Sequence, residues 1–117
     1  MILLIMIFLH IVDDFYLQGI LAQMKQRKFW KENAPDELYK YDYIWALLIH
    51  AFSWTFMVLL PIMFIIPITP LFYFIFFENM IFHAIIDDLK ANHHKINLWE
   101  DQLFHLLQIF MMFLILV

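Results

Sequence analysis

The chain has 117 residues, enough for one domain, and is 65% hydrophobic and 15% charged, with 14 Phe, 8 Met and a single Gly. A soluble domain of this size cannot bury so much apolar surface, so the composition points to a polytopic membrane protein. The formal charge of −4 is mild and no basic patch of the nucleic-acid type stands out apart from one Lys/Arg cluster, and the lack of cysteine excludes disulfides and thiolate metal sites.

Hydropathy divides the chain into four apolar segments, at about residues 2–24, 43–66, 71–90 and 98–117. Their length and lack of alternation rule out barrel strands and predict helices. The expected fold is therefore an all-α bundle of four transmembrane helices in a single domain.

The first segment opens on an apolar run, but no Lys or Arg precedes it and no small-x-small site follows. His10, Asp13 and Asp14 interrupt that run, so a retained helix is expected rather than a cleaved signal peptide. The connection at about residues 25–42 mixes charges with Phe29, Trp30, Leu38, Tyr39, Tyr41 and Tyr43. Two readings fit it: a partly helical stretch at headgroup level whose lysines favour anionic lipid, or a solvated loop with an aromatic belt. Pro35-Asp36 marks a break within it. The second segment carries Pro61 as an expected kink, and Pro67 and Pro70 form the turn after it.

All seven Lys and Arg residues lie in or beside the first and third connections: Lys25, Arg27, Lys28, Lys31, Lys40, Lys90 and Lys95. The positive-inside rule then places both connections in the cytoplasm and both termini outside, as in a bacterial-type inner membrane.

Ionisable residues inside hydrocarbon are costly and mark function. Positions four apart share a helix face. His10, Asp14 and Gln18 form one stripe, flanked by Asp13. Asn79, His83, Asp87 and Lys90 form another. Asp101, His105 and Gln108 form a third, and His50 stands with Ser53 and Trp54. Polar residues fall late in the first and third helices and early in the second and fourth. All four faces therefore converge at one depth, in the cytoplasmic half. His10 followed by Asp13-Asp14, and His83 followed by Asp87-Asp88, also hint at two pseudo-repeated helical hairpins.

Imidazole with carboxylate is the chemistry of a divalent transition metal, zinc first, as one or two ions. The expected ligands are His10, His50, His83 and His105, with Asp14, Asp87 and Asp101 as ligands or as a catalytic base. Lys90 and Gln18 would position a polar, phosphate-bearing lipid headgroup. Glu78 lies about 140° away from His83 and reads as a protomer contact in a homo-oligomer or a buried pair, or as a proton carrier. His93 and His94 read as solvated loop residues, and Asp88 as an interface contact or a helix cap. The same cluster also fits an ion or proton transporter or channel, or a phage-type membrane protein whose polar residues only specify packing. The apolar outer halves of the segments weigh against a through-pore in a monomer.

The motif order resembles a small bacterial and phage membrane-protein family named as domain of unknown function 3307. The matching stretches are His10, Asp14, Phe15 and Gln18; His50; His83, Asp87 and Lys90; and Asp101, Gln102 and His105. That resemblance spans nearly the whole chain and implies a polytopic membrane protein without a defined activity. A weaker similarity of layout to small membrane-bound metal-dependent hydrolases implies a metal-dependent reaction, by analogy.

Overall fold

Apolar runs with no hydrogen-bonding partners outside themselves must satisfy their backbone internally, and every element of this chain does so as a helix. The computed structural model describes residues 1–117. Helix α1, Ile2–Val12, runs into a π-helical turn, Asp13–Leu17. Two short helices follow, α2 (Leu21–Met24) and α3 (Arg27–Asn33), then a 3₁₀ turn, Glu37–Tyr39. Three long helices complete the chain: α4 (Asp42–Met63), α5 (Pro70–Ala91) and α6 (Leu98–Leu116).

Local sequence explains the boundaries. Thr69 caps α5 by accepting from the Phe72 amide at 3.3 Å, and Pro70 occupies the first turn, where its missing N–H costs nothing. Asn97 and Glu100 form a reciprocal capping box at the start of α6. Pro61 falls in the last turn of α4, which ends at Met63 rather than continuing to 66.

The first segment departs from the expected single span over residues 2–24. Its α-helix stops at Val12, its π turn stops at Leu17, and Gly19 takes the left-handed conformation (φ +55°) before α2 begins. Three helices, not four, are long and apolar enough to cross a membrane: Glu37–Met63, Pro70–Ala91 and Leu98–Leu116. Two features shorten the first. The wider π turn lets the adjacent Asp13 and Asp14 both face the bundle, and the only glycine supplies the break.

The four principal helices close into a ring. α4 packs between α1 and α5, and α6 packs against both α5 and α1. Late residues of α1 and α5 meet early residues of α4 and α6, so neighbours run antiparallel. One half of the interior is an apolar cluster that includes Met6, Val58, Leu59, Ile62, Ile75, Phe76, Ile109 and Met112. The other half holds the polar residues. Large apolar side chains such as Phe8, Phe52, Phe74 and Phe110 face outward, a surface suited to hydrocarbon.

Candidate metal centre

Each principal helix or its extension delivers its polar stripe to the same buried volume. His10, His50, His83 and His105 are all buried, as are Asp13, Asp87 and Asp101. Three groups of side chains bring ligand atoms within 4.8 Å of one another: Asp14 with His50 and His83, His83 with Asp87 and His105, and Asp14 with Asp101 and His105. Each group shares one residue with each of the others. The six residues therefore form one connected cluster.

His83 is the most telling member. It is fully buried, yet neither ring nitrogen has a hydrogen-bond partner. Its ring stacks on Trp54, with centroids 4.2 Å apart, and on His105, at 4.1 Å, and those two rings lie 5.5 Å from each other. Its Nε2 points toward Asp87 Oδ2 at 3.5 Å. A buried imidazole normally spends both nitrogens, and leaving one unsatisfied costs about 1–3 kcal/mol. A metal ion would satisfy Nε2.

His105 points the same way through its partners. The Gln108 amide nitrogen faces the carbonyl and side-chain oxygens of Asn79, each at 3.2 Å, so Gln108 Oε1 is left to face His105 Nδ1 at 3.2 Å. Nδ1 must then carry the proton. Nε2 faces Asp87 Oδ1 and Asp101 Oδ1, both at 3.2 Å. A bare lone pair aimed at two carboxylates is repulsive, so a cation, either a proton or a metal ion, belongs between them. Imidazole held by its remote N–H is the usual arrangement of a metal-ligating histidine.

His50 Nε2 lies 3.1 Å from Asp14 Oδ1 and 3.4 Å from Asp87 Oδ2. Its Nδ1 faces Asp13 Oδ2 at 3.6 Å, and Asp13 Oδ1 accepts from the Ser53 hydroxyl at 2.6 Å.

His10 parts from the expected ligand set and belongs to none of the three groups. The Trp54 indole can only donate, and it donates to His10 Nδ1 at 2.7 Å. His10 Nε2 therefore carries the proton and donates to Gln102 Oε1 at 2.9 Å. The Gln102 amide in turn donates to Asp101 Oδ2 at 3.1 Å and reaches Asp14 Oδ2 at 3.4 Å. His10 thus orients two carboxylates of the centre through Gln102 and has no free lone pair.

Two lysines close the centre toward the connections. Lys90 Nζ lies 3.0 Å from Asp101 Oδ2 and is partly exposed. Lys25, read from sequence only as connection charge, is 5% exposed, and its Nζ lies 2.9 Å from Asp87 Oδ2. Asn92 makes this possible. Its side chain donates to the Lys25 carbonyl at 2.9 Å and accepts from the Arg27 amide at 2.7 Å, fastening the first connection to the end of α5. The three carboxylates of the centre, Asp14, Asp87 and Asp101, meet two ammonium groups, so negative charge is in excess in a buried volume. A bound cation would offset that excess, and uncompensated buried charge is strongly disfavoured.

The other candidates lie outside the centre. Gln18 donates to the carbonyl of Asp14 at 3.0 Å instead of reaching inward. Glu78 is exposed on the rim of a cleft between α5 and α6. His93 bonds Asp88 at 3.1 Å in the third connection, and His94 is exposed there with φ +52°.

Sequence reasoning missed Lys25, Trp54 as the wall of the site, and Asn92 as a clamp. Only Trp54 left a signal, as the helical neighbour of His50. Comparison with known proteins adds nothing to this geometry: no family model, no curated protein and no solved structure matches the chain.

Proposed function

We propose that this chain is an integral membrane metalloprotein that holds one divalent transition metal ion, zinc by the nature of its ligands, at the histidine–aspartate centre. The observation that carries this reading is His83, buried with both nitrogens unpartnered beside Asp87, Asp14 and His50. All-nitrogen-and-oxygen ligation without cysteine suits zinc and its neighbours. The charge balance favours one divalent ion over two.

The reaction that such a centre serves best is metal-dependent hydrolysis of a lipid or another phosphate-bearing substrate. Bound zinc supplies Lewis acidity and a water whose pKa falls to about 7. Asp14, His50, His83 and His105 would hold the ion. Asp87 and Asp101 would serve as further ligands or as the base. Lys90, the more exposed of the two lysines, would meet a phosphate oxygen arriving from the connection side. The clustering of all seven Lys and Arg around the first and third connections supports a cytoplasmic position for that side, with both termini outside.

Transport fits less well. The apolar cluster of Met6, Val58, Leu59, Ile62, Phe72 and Met112 fills the far half of the bundle, which weighs against a polar path through a single chain. The test of hydrolysis is direct. Protein reconstituted with phospholipid and Zn²⁺ should release water-soluble phosphate products, and His83→Ala protein should not. Bound metal without turnover would remove the hydrolase reading and keep the metal site.

A further inference from the structure

The first connection carries a second polar site, separate from the buried centre. A cleft of about 440 Å³ opens between α3, the 3₁₀ turn and the start of α4. α3 places Arg27 and Lys31 four residues apart on one helical face, and Lys40 faces them across the cleft.

Two carboxylates, Asp36 and Glu37, also line the cleft, and Glu37 takes up Lys40, which leaves Arg27 and Lys31 as the unpaired cations. Asp36 Oδ1 accepts from the Leu38 amide at 3.1 Å, Glu37 Oε2 lies 3.9 Å from Lys40, and Glu32 pairs with Lys28 at 3.8 Å. No carboxylate lies within ion-pair distance of Arg27 or Lys31. Arg27 is held over the Tyr43 ring, its guanidinium carbon 4.9 Å from the centroid. That contact uses the cation's face and leaves its N–H edge free for a bidentate acceptor. The wall is fixed in advance, since Trp30 donates to the Met24 carbonyl at 2.6 Å and stacks on Tyr39.

We propose that this cleft binds the phosphate group of an anionic phospholipid. Guanidinium and ammonium groups without carboxylate partners recognise phosphate oxygens. Location selects a lipid over a soluble phosphate. The cleft adjoins Asp42, where a long apolar helix begins, and Leu38 and Tyr41 beside it are exposed at 76% and 61%. Amphipathic aromatics and apolar side chains at such a position suit the headgroup layer. This inference does not depend on the metal centre.

The test uses the full chain in nanodiscs of phosphatidylcholine with a minor fraction of phosphatidylglycerol. Native mass spectrometry reads the lipid retained on release. Wild type should retain phosphatidylglycerol in preference to phosphatidylcholine. Arg27→Gln/Lys31→Gln should retain about tenfold less or lower, as expected from removing two cations near the surface. Lys28→Gln/Lys95→Gln removes equal charge outside the cleft and should behave as wild type. Equal retention by both double variants would overturn the proposal, as would no preference for phosphatidylglycerol in wild type. Displacement of the lipid by equimolar inorganic phosphate would assign the cleft to a soluble anion and also overturn it. Helical content measured on each sample separates lost binding from misfolding, and bound metal measured alongside keeps this result distinct from that of the buried centre.

Discussion

The Lys25 ammonium sits 2.9 Å from a carboxylate oxygen of Asp87, across 62 residues of chain and out of contact with solvent. Removing one partner of a buried ion pair leaves an uncompensated charge, at a cost of about 3–5 kcal/mol. Lys25→Met should therefore lower unfolding stability in detergent by about that amount. Lys25→Met combined with Asp87→Asn should recover much of the loss, because neither charge is then stranded. A double-mutant cycle measured by chemical denaturation checks the coupling.

His10 and His83 should separate cleanly, although both are buried histidines four residues before an aspartate. His10 spends its nitrogens on Trp54 and Gln102, so His10→Ala should cost about 1–3 kcal/mol of stability through the groups it orphans. It should leave metal stoichiometry unchanged. Trp54→Phe, which removes the indole donor, should move stability in the same direction. Equilibrium unfolding and metal content, measured on the same preparations, read both effects.

Gln108 holds His105 by its remote nitrogen. Gln108→Leu removes that acceptor and should weaken metal affinity by about 10–100-fold without abolishing binding. Titration with Zn²⁺ against a competing chelator measures the change. Metal must displace the proton between His105 Nε2 and its two carboxylates, so binding should release protons and affinity should rise with pH. Proton release into a weakly buffered sample gives the sign.

Gly19, at φ +55°, separates the Asp13–Leu17 turn from α2, and an added Cβ would meet the Leu17 carbonyl oxygen at 4.0 Å, an ordinary contact. Gly19→Ala meets no steric clash, so its penalty is the left-handed backbone alone, about 1–2 kcal/mol. A thermal shift downward in detergent would confirm the assignment. An unchanged or raised melting temperature would contradict it.

Helical phase made much of the centre legible. Spacing of four residues put His83 with Asp87 and Asp101 with His105 on single faces, and depth counted from the segment ends brought those faces together. The parts that stayed hidden depend on contacts across long sequence distances. Lys25 looked like any connection lysine until Asn92, at the end of α5, fastened its backbone there. His10 matched the ligand pattern, but Trp54 and Gln102 from other helices take up its nitrogens. The π turn at Asp13–Leu17 was hidden for a related reason, since sequence period does not announce one wider turn. The single glycine was visible, but its role as the break before α2 was not read. That is why four spans were expected where three helices are long enough to cross.

The central claim is a single metal ion among Asp14, His50, His83, Asp87, Asp101 and His105. Elemental analysis of protein purified in detergent at neutral pH, with and without Zn²⁺ in the growth medium, tests it most directly. Wild type should carry one divalent ion per chain, retained by His10→Ala and lost from His83→Ala. Metal-free wild type after growth with Zn²⁺, or equal metal in His83→Ala, would contradict the account.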